Sequence, residues 1–499
     1  MPRGLASPRA FLVVIAGYFA LHVGLRLITS STADLDEAEQ LTATQQLAWG
    51  YGAQPPLYTW LQLPLVKLFG PTILPLALLK AALLTALYAV TYANARRVLR
   101  THAPAVIATL SLLFIPQISW EAQRDLTHSA LVTLFALLAF HAVLRLAEGQ
   151  TVSRYLLLGL VAGGGLLAKY SFGIFLAGLL LAVVSLPALR GVVLDRRIFL
   201  SGALCAVLVA PAALWAIHHP ELTSGAARKL TLGNTHLSWG ESVLKGLGKF
   251  LVASVTHVGP LLAIYALILR ARPASATTRD VETQRLAAVI PRGLVIIAVL
   301  LAGGILVSGA SRFLDRWLMP VCVWLPILVV ARFREQFDRA RTRQICSTAA
   351  AVALVICVAI PGRIRFAEKL NWPQSLNVTF EPLADELRQS DSGSTLILAE
   401  NAWLAGNLRR QFPERRIVCP ALPLPGLIRP GEPCLVVTDE TRKASATDHF
   451  GRLLEQVLAG GRPSGAVHEV AIPMKFFAEK SARFTWATGR TKPDLPAAR

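Results

Sequence analysis

Long apolar runs recur between residues 11 and 360 and are separated by short polar segments. A helix needs roughly 17–25 apolar residues to cross a bilayer. Some runs are shorter than this, notably the fifth and the tenth, so the count carries an error of about one or two. The pattern predicts about eleven membrane-spanning helices, at residues 11–28, 73–92, 104–119, 126–146, 155–168, 172–189, 199–217, 252–269, 294–308, 317–330 and 345–360.

The pattern changes after residue 361. Strands alternating with helices predict a small α/β domain. Because no Gly-rich phosphate loop follows any of the strands, nucleotide binding is not expected there. We therefore expect a membrane domain over residues 1–361 and an α/β domain over residues 362–499. The predicted strands are 395–399, 416–419, 434–438, 467–472 and 484–488, and the predicted helices are 403–412 and 449–458.

Composition supports a mainly α, polytopic membrane protein. The chain has 499 residues, of which 54% are hydrophobic and 16% are charged, whereas soluble domains carry roughly 25% charged residues. The first apolar run is longer than the core of a typical signal peptide, and no small-residue cleavage site precedes Asp34. This favours a first span that is retained rather than cleaved.

Basic residues predict the topology. The net charge is +20, and the basic side chains cluster at every second connection between the predicted spans, for example at Arg96, Arg97 and Arg100. The positive-inside rule assigns such connections to the cytoplasm. With an odd number of spans, the N-terminus then lies in the cytoplasm and the α/β domain outside it. The distribution of basic residues therefore indicates the membrane topology, and no nucleic-acid partner is expected.

Two of the predicted outside connections are long. The first, residues 30–71, holds amphipathic stretches at 37–49 and 57–69, and we expect both to be helices lying on the outer membrane surface. Trp49, Tyr51, Tyr58 and Trp60 are aromatic residues of the kind that anchor such segments. The other, residues 218–249, contains His218, His219, Arg228, Lys229 and His236. No spacing there resembles a structural zinc site, so metal ligands are not assigned.

An acidic pair, Asp36-Glu37, follows the first predicted span directly. Carboxylates beside a membrane helix are costly, so they are usually present for chemistry or for an ion. The alternative is structural, since an acidic residue before a helix accepts hydrogen bonds from its first backbone N–H groups.

Further charged residues fall on the same predicted face. They are Arg124 and Asp125 on the second outside loop, Lys169 at the third, and Asp315 and Arg316 on the fifth. Carboxylates and cations together fit a site for a lipid-borne phosphate. Each has a structural alternative: Asp125 could cap the span 126–146, Lys169 could extend to the membrane interface, and Arg316 could pair with Asp315 or Asp125.

Several segments form a recognisable set: Asp36-Glu-Ala, the Trp-Gly-Tyr and Pro-Pro-Leu segment of residues 49–57, Arg124-Asp-Leu-Thr-His-Ser, Leu167-Ala-Lys-Tyr-Ser, Asp315-Arg-Trp-Leu-Met-Pro and Asn401-Ala-Trp-Leu-Ala-Gly-Asn-Leu. Together they resemble lipid-dependent glycosyltransferases of the GT-C fold. These are the protein O-mannosyltransferase superfamily and the bacterial enzymes that transfer aminoarabinose or galacturonic acid to lipopolysaccharide, in glycosyltransferase families 39 and 83. The resemblance implies a GT-C fold, Asp36 as the catalytic base with Glu37 as the neighbouring alternative, and Asp125 in a second acidic motif. Many such enzymes carry Tyr-Tyr where this chain has Glu39-Gln40.

The expected activity is inverting transfer of a sugar from a polyprenyl phosphate to an envelope acceptor, such as lipopolysaccharide, lipid A or another glycan. The active site would face the periplasm of the bacterial inner membrane. Lys169, Arg316 and Arg124 are the candidates for binding the donor phosphate. No cofactor is required, although a divalent ion could assist. Two alternatives stay open, a transporter of a lipid-linked anion and a protein O-mannosyltransferase.

Six cysteines are present. Cys419 and Cys434 fall in the α/β domain, where a disulfide is permitted if that domain lies outside the cytoplasm.

Overall fold

The computed structural model describes residues 5, 7–223, 237–269, 281–391, 393–422, 426–441 and 447–495. The chain forms two compact units, which are described separately. The first comprises Met1–Leu21, Ala53–Leu57 and Lys80–Ile356, and the second comprises His22–Gly52, Tyr58–Leu79 and Cys357–Arg499. Segments of the first outside loop thus belong to the same unit as the C-terminal region.

Helices make up most of the chain. The longer ones are α1 (Pro8–Thr29), α2 (Leu35–Ala43), α3 (Leu57–Phe69), α4 (Ile73–Leu99), α5 (His102–Leu110), α6 (Thr127–Glu148), α7 (Val152–Ala168), α8 (Phe172–Val184), α9 (Ile198–His218), α10 (Trp239–Leu269), α11 (Val281–Ala287), α12 (Val289–Ser308), α13 (Leu325–Arg332), α14 (Arg339–Arg365), α15 (Glu381–Ser390), α16 (Ala402–Gln411) and α17 (Thr447–Val457). Shorter helical turns include Ser111–Phe114, Gln117–Glu121, Ala122–Arg124, Gly191–Leu194, Pro220–Thr223, Asp315–Leu318, Met319–Cys322, Arg334–Gln336, Ser375–Asn377 and Ala459–Gly461.

The membrane-spanning character predicted from the sequence is confirmed. Within the described residues, 7 helices are long and apolar enough to cross a membrane, and a pair bent by 77°, His102–Phe114 with Gln117–Arg124, would make an eighth. α7 and α8 are shorter apolar helices, and Met319–Cys322 and Leu325–Arg332 divide the tenth predicted run. The chain is a multi-pass membrane protein, while the count of eleven spans stays a prediction.

Close packing in the first unit depends on small residues. A Cβ atom on Gly159 of α7 would lie 2.7 Å from the backbone oxygen of Ser201 on α9, so only glycine allows this approach. At the centre of the unit, Trp324 is fully buried between the rings of Phe140 and Phe175. By contrast, apolar side chains such as Val307, which is 88% exposed, cover the outside of the long helices. Such surfaces are stable in a lipid environment.

The second unit contains a five-stranded sheet in the order β2-β1-β3-β5-β4. β1 pairs in parallel with β2 and β3, whereas β5 runs antiparallel to β3 and β4. Its core includes Phe380, Trp403, Ile397 and Phe484, and also Leu41 from α2. The strands are β1 (Leu396–Ala399), β2 (Arg416–Val418), β3 (Pro433–Asp439), β4 (His468–Met474) and β5 (Phe477–Arg490).

The prediction for the first outside loop was wrong for α2 and for two aromatic residues of the loop. α3 has the predicted bounds, but α2 ends at Ala43 and buries most of its residues in the core of the second unit instead of lying on a membrane surface. Tyr51 and Tyr58 are 3% and 1% exposed, so they are core residues and not interface anchors. The hydroxyl of Tyr51 donates to the backbone oxygen of Gln46 at 2.8 Å, which satisfies its polar end.

Candidate active site

The first candidate residues lie at the start of α2, in the second unit. Asp34 is the N-cap residue, and a capping box joins it to Glu37: each side chain accepts a hydrogen bond from the other residue's backbone N–H. The hydroxyl of Ser375 donates to Asp34 at 2.6 Å. A cap of this kind typically stabilises a helix by about 1 kcal/mol. Asp34 therefore has a structural role.

Glu37 is committed to a buried ion pair. Arg26, near the end of α1, donates to both carboxylate oxygens of Glu37, at 3.1 and 2.6 Å. The same guanidinium donates to the backbone oxygens of Ser30 and Thr32, at 2.8 and 2.7 Å. Glu37 is only 1% exposed. Its carboxylate thus holds the end of α1 to the start of α2, and this arrangement disfavours a role as a general base.

Asp36 occupies the first turn of α2 between these two residues and is half-buried. It belongs neither to the capping box, which joins Asp34 and Glu37, nor to the ion pair of Glu37 with Arg26. Of the acidic residues in this turn, Asp36 is therefore the best candidate for the base.

The tail motif that follows Asn401 holds the segment before Asp36. Asn407 of α16 accepts a hydrogen bond from the N–H of Ala33 at 2.8 Å and donates to the oxygen of Ala33 at 3.1 Å. The indole N–H of Trp403 donates to the same oxygen at 3.0 Å. A Cβ atom on Gly406 would lie 2.1 Å from the oxygen of Ala38, so α16 can pack this closely on α2 only with glycine there. Sequence reasoning did not find this contact.

Gln40 stands where many members of the resembling families carry a tyrosine. It is 1% exposed, and its side-chain oxygen accepts a hydrogen bond from the hydroxyl of Thr59 at 2.9 Å. Gln40 therefore joins α2 to α3. The departure from the family pattern is accommodated by a buried polar contact inside the second unit.

A second group of candidates lies in the first unit, around Asp125. The turn Gln117–Glu121 is a π-helix, a form that is frequent at functional sites. Leu126 follows with φ 45° and ψ 78°, a left-handed conformation that is rare for leucine. Leu126, and not Asp125, occupies the N-cap position of α6. The alternative that Asp125 is the N-cap is thus wrong.

In the structure, Lys169 contacts the sequence motif that contains Asp125. The Nζ of Lys169 donates to the hydroxyl of Ser129 at 2.9 Å, and the Nδ1–H of His128 donates to the oxygen of Ala168 at 3.3 Å. Lys169 is half-buried at the end of α7 and points toward α6. Two motifs about forty residues apart in the sequence therefore form one polar cluster, which favours ligand binding over simple extension to the membrane interface.

Arg316 lies in the turn Asp315–Leu318 of the same unit. The carboxylate of Asp315 accepts hydrogen bonds from the backbone N–H of Arg316 at 2.7 Å and from the amide of Gln117 at 2.9 Å, and its backbone oxygen accepts one from His257 at 3.2 Å. Among the described residues, the guanidinium of Arg316 forms no ion pair or hydrogen bond. The alternative that Arg316 pairs with Asp315 or Asp125 is therefore wrong, and no carboxylate in the described ranges neutralises its charge.

Arg124 differs from Arg316 in this respect. Its guanidinium forms an ion pair with Glu121 at 2.7 Å, with both side chains about 29% exposed. Part of its charge is therefore neutralised within the same helical turn. A role in binding the donor phosphate stays a prediction for Arg124.

The structure gives less support to the remaining candidate residues. His219 donates to the oxygen of Trp215 at 2.8 Å, and the described residues contain no group of three or more His, Cys, Asp or Glu side chains that could bind a metal ion. Arg228, Lys229 and His236 lie outside the described residues. Cys419 and Cys434 are both free thiols, and burial raises the pKa of each to about 12.

Some residues of the site were not predicted, although the sequence contains features that indicate them. Arg26 is a charged residue inside the first apolar run, and such a residue normally requires a partner. Gln117 and His257 are polar residues in or beside predicted spans, and both contact Asp315. Ser129 belongs to a motif that the sequence did single out, but its contact with Lys169 depends on how two helices pack.

Comparison with known proteins identifies the family. Residues 53–215 match the family described as dolichyl-phosphate-mannose-protein mannosyltransferase. The chain is 32% identical to the lipopolysaccharide core galacturonosyltransferase RgtB of Rhizobium johnstonii over 409 residues, which cover 80% of this chain and 81% of the relative. It is 29% identical to the lipopolysaccharide core galacturonosyltransferase RgtA of the same organism, over 97% of both chains.

A solved structure shows the same fold. The crystal structure of ArnT from Cupriavidus metallidurans bound to undecaprenyl phosphate superimposes with a TM-score of 0.61, at 16% identity, over 95% of this chain and 97% of that one. The relatives named above are glycosyltransferases, and the similarity to RgtB covers most of both chains. This chain is accordingly a membrane glycosyltransferase of the GT-C fold and belongs to the superfamily of the protein O-mannosyltransferases and the aminoarabinose and galacturonic acid transferases.

Proposed function

We propose that this glycosyltransferase moves a sugar from a polyprenyl-phosphate donor to lipopolysaccharide, on the core or on lipid A, at the periplasmic face of the bacterial inner membrane. The acceptor is supported by the two galacturonosyltransferases of the lipopolysaccharide core that resemble this chain over most of its length. Their names also make galacturonic acid the first sugar to test. The donor class is supported by the lipid-linked chemistry that an outward-facing transferase needs, because nucleotide sugars are not available outside the cytoplasm.

Asp36 is the proposed general base. The observation that carries this assignment is the division of roles at the start of α2, where Asp34 caps the helix and Glu37 pairs with Arg26. In the proposed step, Asp36 takes the proton of the acceptor hydroxyl while that oxygen attacks the anomeric carbon of the donor. The bond between the anomeric carbon and the phosphate oxygen breaks, and the configuration inverts. General-base assistance of this kind is typically worth about 10²–10⁴-fold in rate.

The polyprenyl phosphate leaves with the bonding electron pair and needs no proton. Its growing negative charge is stabilised by Lys169 and Arg316 in this proposal, with a smaller share for Arg124. The support is that Arg316 has no acidic partner among the described residues and that Lys169 is held beside Ser129. Fixed cations aimed at developing charge are among the strongest contributions to catalysis. No cofactor is proposed, and a divalent ion is the alternative source of positive charge.

The test compares two neighbouring carboxylates in the purified full-length protein. Asp36→Asn should abolish transfer of galacturonic acid from its polyprenyl phosphate to lipopolysaccharide, with an unchanged thermal unfolding temperature. Asp34→Asn is the matched control, because an asparagine can still cap the helix, and it should keep most of the activity. Transfer activity that survives in Asp36→Asn at the wild-type rate would contradict the assignment of the base.

A protein acceptor is the second candidate, favoured by the match of residues 53–215 to the mannosyltransferase family. Mass spectrometry of envelope glycolipids and envelope proteins from cells with and without the gene distinguishes the two. A sugar missing only from lipopolysaccharide supports the first proposal, whereas hexose missing only from proteins supports the second. Transport, the other alternative, is disfavoured because the relatives are transferases.

A further inference from the structure

Positive and aromatic side chains gather where the last long helix ends. We call this group the post-span patch, and it consists of Arg365, Phe366, Lys369, Leu370, Trp372 and Lys475. α14 is long and apolar enough to cross a membrane and ends at Arg365. The patch therefore lies where the chain would leave the bilayer, and it plays no part in the reaction proposed above.

The chain continues in a helical path for one more turn beyond α14. The N–H of Phe366 donates to the oxygen of Gly362 at 2.9 Å, and the N–H of Leu370 donates to that of Phe366 at 3.0 Å. Residues four apart lie side by side on such a turn. Arg365 is thus next to Lys369, and Phe366 is next to Leu370, so that a cationic stripe runs beside an apolar one.

The turn between β4 and β5 adds a third cation. Asn377 donates to the oxygens of both Lys475 and Ile364, at 2.9 and 3.0 Å, and therefore fixes this turn to the end of α14. The guanidinium of Arg365 lies 4.5 Å from the ring centre of Phe476, and the Nζ of Lys475 lies 5.2 Å from the same ring. The two cations are thus held around one aromatic side chain.

In the part of the chain that the structure describes, Arg365, Lys369 and Lys475 form no ion pair with a carboxylate. Glu368 is the acidic residue of the same turn, so three cations stand against one carboxylate. Like charges four residues apart on a helix repel each other. An external anion would relieve this repulsion.

The apolar half of the patch is exposed as well. Phe366, Leu370 and Trp372 are 51%, 56% and 53% exposed. Large apolar side chains next to cations are typical of segments that lie at a membrane interface, where the rings enter the headgroup region and the cations remain at its surface. A soluble anion would satisfy only the cations. A lipid with a phosphate headgroup and acyl chains satisfies both halves.

We propose that the post-span patch binds a membrane lipid through its anionic phosphate headgroup. Arg365, Lys369 and Lys475 contact the phosphate, while Phe366, Leu370 and Trp372 lie against the upper part of the acyl chains. Each basic residue near a membrane surface strengthens the binding of anionic lipid by about fivefold. The three cations together should therefore favour an anionic over a zwitterionic lipid by roughly 100-fold.

Native mass spectrometry of the full-length protein in a neutral detergent tests this, with phosphatidylglycerol and phosphatidylcholine as probes. In R365Q/K369Q/K475Q, the tightest phosphatidylglycerol site should be weakened by about 100-fold, and binding of phosphatidylcholine should not change. The matched control is R462Q/R483Q/R490Q, which removes the same charge from exposed positions of the same unit. Equal losses in both triple variants, or no loss in the first, would overturn the proposal.

Two further measurements separate a lipid from a soluble anion. Inorganic phosphate at millimolar concentration should not displace phosphatidylglycerol from the wild-type protein, and full displacement would overturn a lipid-specific site. The fluorescence of Trp372 is obtained as the emission of the wild type minus that of Trp372→Phe. In nanodiscs containing lipids with brominated acyl chains, this fluorescence should be quenched. An unquenched Trp372 would show that the apolar half does not reach the lipid.

Discussion

The side-chain amide of Asn407 makes two hydrogen bonds with the backbone of Ala33, accepting one from its N–H at 2.8 Å and donating one to its oxygen at 3.1 Å. Ala33 directly precedes Asp34, the cap of the helix that carries Asp36. The C-terminal part of the second unit therefore fixes the backbone on which the proposed base stands. The side-chain amide of Gln45, beyond the other end of α2, makes the same two contacts with Ile417: it accepts from the N–H at 2.9 Å and donates to the oxygen at 2.7 Å.

Asn407→Ala should therefore lower kcat more than Gln45→Ala does. Each substitution removes three hydrogen bonds of a side-chain amide, and each should cost about 1–3 kcal/mol of stability. Only the first loosens the segment beside Asp36, and a displacement of the order of 1 Å in a catalytic group can cost about 10²-fold. Steady-state kinetics and thermal unfolding of both variants provide the measurement. Equal effects on kcat at equal loss of stability would show that Asn407 is a structural residue only.

Glu37→Gln is expected to destabilise the folded protein and not only to lower the rate of transfer. The substitution leaves the guanidinium of Arg26 without its carboxylate in a buried site, and breaking a buried ion pair on one side costs about 3–5 kcal/mol. The unfolding temperature should fall clearly, in contrast to Asp36→Asn. The double variant Arg26→Met with Glu37→Gln should recover part of the loss, because no charge is then left buried. Wild-type stability in Glu37→Gln would contradict the structural role of this residue.

Arg316→Ala and Lys169→Ala should each lower kcat by about 10²–10³-fold if these cations stabilise the leaving phosphate. Arg312→Ala is the matched control, because Arg312 is an exposed cation of the same segment, and it should remain near the wild-type rate. The assay is run with EDTA and with added Mg²⁺, since a divalent ion is the alternative source of charge. A loss of all activity in EDTA, together with an active Arg316→Ala, would assign the role to a metal ion.

The sequence predicted those features that depend on local pattern. Apolar runs marked the spans, amphipathic spacing gave α3 its bounds, and alternating strands and helices indicated the C-terminal sheet. The quoted motifs also included Ser129 and the candidate Lys169, and the two side chains are in contact.

Other features depend on partners far away in the chain. α2 looked like an interfacial helix because its amphipathic face is compatible with either a membrane or a protein core. The residue that decides this, Asn407, is 374 positions from Ala33. Likewise, Asp36 and Glu37 are adjacent and chemically similar, so only the contact of Glu37 with Arg26 separates their roles.

The stability of the second unit should depend on pH through Glu400. Burial raises the pKa of Glu400, and the nearby charge of Asp439 raises it further, against the effect of the hydrogen bond from the backbone N–H of Asp439. The folded protein then holds this proton more tightly than the unfolded chain. The contribution of Glu400 to the stability of the folded protein is therefore present below the pKa of the unfolded chain, about 4.3 for a glutamate. It is lost as the pH rises through the pKa of the folded protein.

Glu400→Gln should accordingly raise the unfolding temperature at pH 7 and leave it nearly unchanged at pH 4, as measured by thermal unfolding of the full-length protein across this range. Glu381 provides a control of opposite sign. Burial alone would raise its pKa, but hydrogen bonds from its own backbone N–H and from Ser31, with the charge of Arg410, lower it overall. The contribution of Glu381 is present above the unfolded pKa and lost as the pH falls through the folded one, so Glu381→Gln should destabilise at pH 7. Shifts of the same sign in both variants at pH 7 would refute this account.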